Sequence, residues 1–225
     1  MDKYEITNRI EKFAPLETQE AWDCSGWLVE TNRKNVQKIM LALTVTEDVY
    51  KQACEQQCDM IISHHPLFNV PLEWKNIDIY CAHTNMDLAD GGTTDKLIRT
   101  LGYNPTFAES FVRYLDLNIS LDEFTNKIRE ISPNLRYVNN KNTKSLKKIA
   151  FCAGSGSEFI NEAYQNGADA FVTGDLKFHT ALESPIVLFD IGHFESEIMV
   201  LEVFKELIGG DTEVLSANES SPFIY

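Results

Sequence analysis

The chain has 225 residues and an ordinary globular composition, 44% hydrophobic and 24% charged. Its formal net charge of −14 argues against nucleic acid or an anionic membrane surface as the main partner, because both require a basic protein surface. No apolar run approaches the roughly 20 residues that span a bilayer, and residues 1–5 lack the apolar stretch of a signal peptide. We therefore expect a cytoplasmic protein.

The cysteine pattern points in the same direction. The five cysteines are odd in number and include no Cys-x-x-Cys pair, which is typical of reduced thiols in a cytoplasmic protein. Cys54 and Cys58 lie one helical turn apart and could share a metal ion. Packing at a helix face is the favoured interpretation, since free cysteine is commonly buried.

The first half of the chain predicts an N-terminal helix and a β-α-β unit. Apolar residues at helical spacing indicate the helix, and β-branched runs bounded by polar residues indicate the strands. Thr46 is suited to cap the helix between the first two strands. The predicted elements are a helix at 3–13, a strand at 37–45, a helix at 47–54, and strands at 60–62 and 77–82.

Between the first helix and the first of these strands lies Ala21-Trp22-Asp23-Cys24-Ser25-Gly26-Trp27-Leu28-Val29, which we expect to be a turn rich in aromatic residues. We call its segment 22–26 the aromatic turn. Asp23 and Ser25 could line a site. Formation of the turn itself is the simpler explanation, because both side chains readily bond to nearby backbone groups.

The second half repeats the strand–helix–strand order after a less regular connection. We expect a helix at 121–131, a polar turn or hairpin tip at 139–144, a strand at 146–153, a helix at 157–166 and a strand at 168–173. At a constant offset of 110, Lys38 falls on Lys148, Asp59 on Asp169 and His83 on His193. We therefore predict two related α/β lobes with mainly parallel strands, at 1–110 and 111–225, as internal self-similarity suggests.

The five histidines are not scattered. His64 and His65 follow one predicted strand, His83 follows the next, and His179 and His193 follow strands of the second half. Ligands collect beyond the carboxyl ends of strands in an open α/β sheet, so this distribution indicates a site in the cleft between the lobes. His193 and Glu197 are four residues apart, so a helix starting near His193 presents both from one face.

Imidazole and carboxylate donors suit Zn, Fe, Mn or Ni as divalent ions. The candidate donors exceed the three protein ligands that one catalytic ion usually takes. Two ions about 3.5–4 Å apart would use five donors, and they would also offset the local negative charge. We therefore expect a dinuclear metal centre.

Four segments resemble the Nif-three-like family, also called GTP cyclohydrolase 1 type 2 homologues. The aromatic turn at 22–26 is similar to the family's Trp-Asp-Asn-Ser-Gly segment, with Cys24 in place of Asn. The similarity extends over nearly the whole chain, and the connection at 111–145 is too short for the domain that longer members insert. The four segments are Ile62-Ser63-His64-His65-Pro66-Leu67-Phe68, Ala82-His83-Thr84-Asn85-Met86-Asp87, Thr173-Gly174-Asp175-Leu176-Lys177-Phe178-His179 and Gly192-His193-Phe194-Glu195-Ser196-Glu197.

The resemblance implies a two-lobed α/β fold, two divalent metal ions per chain and a toroidal homohexamer. It implies the metal ligands His64, His65, Asp87, His193 and Glu197, with Glu197 bridging. His83 and His179 would then lie behind the ligands or face the substrate. Asp175 would orient a ligand histidine, although an aspartate that serves only the turn after Gly174 explains it equally well.

The function that the resemblance implies is hydrolytic opening of the purine ring of GTP. Two alternatives stay open at this stage. One is a metal-dependent hydrolase of another small molecule or of a phosphoester, and the other is a non-catalytic metal-binding or protein-interaction protein. The Gly154-Ser155-Gly156 turn could hold an anion on its backbone N–H groups, but a plain tight turn is favoured.

Overall fold

The computed structural model describes residues 1–106, 110–210 and 212–224, and it divides the chain into two compact units. The first unit comprises Met1–Gly92 and Val200–Ser220, and the second comprises Thr93–Met199 and Ser221–Tyr225. This division differs from the predicted lobes at 1–110 and 111–225. The difference has two parts: the second unit already begins at Thr93, and the segment Val200–Ser220 belongs to the N-terminal unit because its helix and strand pack there.

The first unit is a five-stranded sheet with helices. Its helices are α1 (Lys3–Phe13), α2 (Glu47–Glu55), α3 (Thr84–Leu88) and α9 (Val200–Ile208). α9 follows the second unit along the chain, which is why its number is out of sequence here. Its strands are β1 (Gly26–Val29), β2 (Lys38–Ala42), β3 (Met60–Ser63), β4 (Asp78–Cys81) and β10 (Glu213–Ser216).

The strand order of this sheet is β1-β4-β3-β2-β10. β2, β3, β4 and β10 run parallel to one another, and β1 is antiparallel, at one edge. The turn predicted over 21–29 therefore ends before residue 26, because the last four residues pair with β4 as β1. The predicted strand–helix–strand unit is present, and the Thr46 side chain caps α2 by accepting from the Val49 amide. Because β3 and β4 are buried along their whole length, polar residues are left to the strand ends.

The second unit also contains a five-stranded sheet. Its helices are α4 (Thr93–Thr100), α5 (Leu121–Arg129), α6 (Ile160–Gln165), α7 (Phe178–Glu183) and α8 (His193–Glu197). Its strands are β5 (Arg113–Ser120), β6 (Arg136–Val138), β7 (Ser145–Phe151), β8 (Ala170–Thr173) and β9 (Val187–Asp190).

The strand order here is β5-β7-β8-β9-β6, with parallel pairs in the middle and antiparallel strands at both edges. The polar stretch at 139–144 is a connection rather than a hairpin tip, because β6 pairs with β9 and not with β7. The predicted helix at 157–166 starts as a short 3-10 turn, Ser157–Phe159, and continues as α6.

The two units share a local structure at the offset of 110. In the first unit, Asp59 Oδ2 accepts from the amides of Gln37 and Lys38, at 2.7 and 3.3 Å. In the second unit, Asp169 Oδ2 accepts from the amides of Lys147 and Lys148, at 2.7 and 3.1 Å. Each aspartate lies just before one strand, β3 or β8, and binds backbone amides at or next to the neighbouring strand.

These observations confirm the predicted fold class, an α/β protein with two similar sets of mainly parallel strands. Each unit has its own apolar core: Met40, Ile61 and Ile79 pack in the first unit, and Phe124, Phe151 and Phe189 pack in the second. Among the described residues, no helix has the length and apolar character needed to cross a membrane.

Candidate metal centre

The His64-His65 pair begins where β3 ends. The amides of His64 and His65 donate to the carbonyls of Ala42 and Leu43 at the end of the neighbouring β2, at 3.1 and 2.8 Å. His64 is fully buried, and its carbonyl accepts from the Cys81 thiol at 3.0 Å. The end of the sheet therefore fixes the backbone that carries both imidazoles.

Three imidazoles converge in the first unit. A ring nitrogen from each of His64, His65 and His83 lies within 4.8 Å of the others. In every case Nδ1 has a polar oxygen partner: the Ala82 carbonyl at 3.0 Å for His64, Thr44 Oγ1 at 2.6 Å for His65, and Asp23 Oδ1 at 3.1 Å for His83. Metal-binding imidazoles typically use one nitrogen in this way, which orients the other toward the ion.

Asp87 adds a carboxylate to this group. It lies on α3, and its Oδ1 is 3.3 Å from His64 Nε2. This buried oxygen has no hydrogen-bond partner among the described residues. Because a buried polar atom without a partner costs free energy, its position next to an imidazole nitrogen fits a cation ligand.

The aromatic turn at 22–26 holds the segment that carries His83. Besides the bond to His83, Asp23 accepts from the Thr84 amide and hydroxyl through Oδ2, at 3.0 and 2.5 Å. Ser25 Oγ accepts from the His83 amide at 3.0 Å. The turn-forming role that the sequence favoured is present, because Asp23 accepts from the Cys24 amide at 2.7 Å and from the Ser25 hydroxyl at 3.2 Å. In addition, both side chains fix a candidate site residue that lies about 60 positions later in the chain.

The charge state of Asp23 suits this role. Burial by itself raises its pKa, but hydrogen bonds from His83 and Thr84 outweigh the burial and hold the pKa of Asp23 well below its ordinary value. An ionised carboxylate therefore faces His83 Nδ1 and favours the tautomer that carries the proton there.

In the second unit, His193 and Glu197 lie on one face of α8. His193 Nε2 is 3.0 Å from Glu197 Oε2, and His193 Nδ1 is 2.7 Å from Asp175 Oδ2. The hydrogen bond to Glu197 is the main cause that raises the pKa of His193, to about 9, and the bond to Asp175 adds to the rise. Burial acts in the opposite direction. Asp175 thus contacts His193 as an orienting residue would, and its backbone has a positive φ of 56°, which aspartate tolerates better than most residues.

The Gly154-Ser155-Gly156 turn serves Glu197 rather than an anion. The Gly154 amide donates to Ser196 Oγ and the Gly156 amide donates to Thr173 Oγ1, both at 2.8 Å. A Cβ on Gly154 would lie 2.2 Å from Glu197 Oε1. The absence of a side chain at Gly154 is what leaves room for the Glu197 carboxylate.

His179 differs from the other histidines. It lies on α7, is exposed, and has its ring against Phe178 with centroids 5.4 Å apart. In the part of the chain that the structure describes, it belongs to no group of three candidate metal ligands. Sequence reasoning missed the contact of Thr44 with His65. It considered Gly154 only as part of a possible anion-binding turn and gave Ser196 no role, whereas the two residues bind each other beside Glu197.

The donor chemistry in both units fits divalent metal ions that accept nitrogen and oxygen ligands. The first unit offers oriented imidazoles and a buried carboxylate oxygen that has no hydrogen bond within the described part of the chain, and the second offers an imidazole–carboxylate pair. These are features of such a site. The fold and these residues define an α/β protein with candidate metal-binding groups.

Comparison with known proteins identifies the family. The sequence model of the Duf34/NIF3 (NGG1p interacting factor 3) family matches residues 1–221, and the chain belongs to this family. A protein from Clostridium perfringens called "GTP cyclohydrolase 1 type 2 homolog" is 36% identical, with 98% of each chain covered. A protein of the same name from Campylobacter jejuni is 31% identical, again with 98% of each chain covered.

Solved structures agree on the fold. Reduced HcgD from Methanocaldococcus jannaschii superposes with a TM-score of 0.84 at 27% identity, covering 97% of this chain and 98% of that one. The protein ybgI, described as of unknown function, superposes with a TM-score of 0.88 at 21% identity, covering 99% and 100%. The latter similarity establishes the fold alone.

Proposed function

We propose that this protein is a metal-dependent hydrolase that binds two divalent ions through His64, His65, Asp87, His193 and Glu197. The observation that carries the proposal is the convergence, at the end of β3 and β4, of the oriented imidazoles of two proposed ligands, His64 and His65, with that of His83, which lies outside the ligand set. Imidazoles whose ring nitrogens lie within 4.8 Å of one another repel each other when they are protonated. A purely structural role therefore does not explain why three of them are brought together.

Divalent ions in such a site lower the pKa of water toward neutrality and offset the charge of nearby carboxylates. The chain's own residues would orient the histidines of the site. Asp23 holds His83, Thr44 holds His65, and Asp175 holds His193. In this proposal His83 is not a ligand but faces the substrate, with Nδ1 held by Asp23 and Nε2 directed to the site.

The proposed substrate is GTP, opened hydrolytically at its purine ring. This part of the proposal is supported by the names of the relatives, which are called GTP cyclohydrolase 1 type 2 homologs. The net charge of −14 means that an anionic nucleotide depends on the metal ions for local positive charge. We further propose a cytoplasmic location and a toroidal homohexamer, with no nucleic acid and no membrane as partner.

Metal content is the first test. Purified protein reconstituted with Zn, Mn, Fe or Ni and desalted is expected to retain about two ions per chain by elemental analysis. The His64→Ala, Glu197→Ala double variant is expected to lose most of this metal. His179→Ala is the matched control, because it removes an exposed histidine outside the proposed ligand set. Unchanged stoichiometry in the double variant would contradict the ligand assignment.

Turnover is the second test. Each metal-loaded form is incubated with GTP, with other nucleotides and with a phosphodiester, and the products are identified by mass spectrometry. Addition of water to the base of GTP supports the proposed reaction. Hydrolysis of another compound supports the alternative hydrolase. Two bound ions without any product would favour a non-catalytic metal-binding or interaction protein.

A further inference from the structure

Trp22 is the one tryptophan of the three that is largely exposed. Its exposed fraction is 60%, whereas Trp74 is buried and stacks on Tyr50 with centroids 4.5 Å apart. Trp27 is half-buried and packs edge-on against Tyr80 at 5.2 Å. Trp22 therefore contributes little to the apolar core.

The ring of Trp22 lies beside the imidazole cluster. Its centroid is 5.9 Å from that of His83, with the planes at 74°. The His83 ring is in turn 5.2 Å from His64 and 5.6 Å from His65. An exposed aromatic surface thus borders the group of residues that would act on a substrate.

The backbone that carries Trp22 is held on both sides. The Glu20 amide donates to Thr84 Oγ1 at 2.9 Å, and the Asp23 amide donates to the Glu20 carbonyl at 2.9 Å. The Asp23 side chain in turn binds His83 and Thr84. The exposed ring is therefore presented on a fixed turn, which lowers the entropy cost of placing a ligand against it.

We propose that Trp22 stacks on the planar heteroaromatic ring of the substrate, a nucleobase, and so favours substrates that carry a base over those that do not. The inference rests on the proposed hydrolase function and adds the residue that recognises the base. Stacking on an aromatic side chain needs no basic residue and is available to every base, which suits a protein of net charge −14. His83 next to the ring would then lie against the edge of the bound base.

Binding of guanosine, GTP and inorganic triphosphate is measured by calorimetry and by tryptophan fluorescence, on metal-free and metal-loaded protein. Guanosine is expected to quench Trp22 emission, and inorganic triphosphate is not. Trp22→Ala is expected to weaken guanosine and GTP binding by about five- to 100-fold while triphosphate binding is unchanged. Trp22→Phe is expected to keep most of the affinity but to lose the quench. Tyr164→Ala removes a similarly exposed aromatic residue of the second unit and is expected to change neither.

The inference is overturned if wild-type protein binds no guanosine in either form, or if Trp22→Ala binds it as tightly as wild type. It is also overturned if Trp22→Ala changes the oligomeric state by light scattering and leaves guanosine affinity unchanged, because the ring then packs against a second copy of the chain. These results are separable from failure of the proposed function. Lost metal stoichiometry or absent turnover concerns the hydrolase, whereas guanosine affinity of the metal-free variants reports on Trp22 alone.

Discussion

Gly154 and Glu197 lie so close that a single added carbon at Gly154 would be 2.2 Å from the Glu197 carboxylate oxygen. Gly154 also has a positive φ of 67°, and its amide binds Ser196, the residue before Glu197. The turn between β7 and α6 therefore leaves room for the carboxylate that we propose as a metal ligand.

Gly154→Ala is expected to displace the Glu197 side chain and lower metal affinity by about ten- to 100-fold. The positive φ adds a stability loss of about 1–2 kcal/mol. Gly167→Ala is the matched control, because Gly167 has a φ of 79° but a Cβ added there would meet nothing within 4 Å. Gly167→Ala is expected to lose stability but to keep the metal affinity of the wild type. Metal titration and urea unfolding of both variants measure the two effects separately, and equal metal affinities would contradict the role of Gly154.

Asp175→Asn tests the orientation of His193. The Asp175 carboxylate accepts from His193 Nδ1 at 2.7 Å, and asparagine tolerates the same positive φ. We expect metal affinity to fall by about ten- to 100-fold with little change in the unfolding midpoint. Asp116→Asn, at an exposed position of β5, is expected to leave the affinity unchanged. If both variants bind metal as wild type does, Asp175 serves the turn only.

Asp23→Asn is expected to destabilise the protein by about 2–3 kcal/mol at pH 7, because hydrogen bonds to a buried charged acceptor are lost. The folded-state pKa of Asp23 lies well below the ordinary 3.8. Its contribution to stability is therefore fully present above about pH 3.8 and is lost as the pH falls through the lowered folded value.

The measurement is urea unfolding of wild type and Asp23→Asn across acidic and neutral pH. The difference in free energy of unfolding is expected to be constant above about pH 5 and to shrink toward strongly acidic pH. Asp90→Asn, at an exposed position of the first unit, is the control and is expected to show no such difference. If the difference in free energy of unfolding between wild type and Asp23→Asn grows as the pH falls, the predicted pH dependence of the Asp23 contribution is wrong.

Cys54 and Cys58 are expected to differ sharply in reactivity. Cys54 is exposed on α2, whereas Cys58 is buried, and burial raises the pKa of the Cys58 thiol to about 11. Only about a thousandth of Cys58 is then thiolate at pH 8, and the thiolate is the reactive form. Cys54→Ser should remove a fast phase of thiol modification, and Cys58→Ser should not. Neither change is expected to alter metal stoichiometry. Loss of metal in either variant would instead support the interpretation that Cys54 and Cys58 bind a metal ion together.

The sequence predicted the elements whose signals are local. The helix at 3–13, the cap at Thr46 and the β3 and β8 strands follow from periodicity, capping chemistry and β-branched runs. The offset of 110 also predicted a shared arrangement, and Asp59 and Asp169 make equivalent bonds in the two units. The types of metal-binding side chain could also be predicted from the sequence, because few side chains bind transition metals and all five histidines follow predicted strands.

Only the tertiary structure decided which distant segments meet. β10 pairs with β2, so that Ser216 lies opposite Leu41 and the C-terminal strand belongs to the first unit. Asp23 binds His83 across 60 positions, and Gly154 lies against Glu197 across 43. Such contacts leave no periodic trace, because each depends on the packing of whole strands and not on the residues next to it in the chain. The sequence by itself thus determined the donor types and the β-α-β units, while packing determined which side chains hold those donors in place.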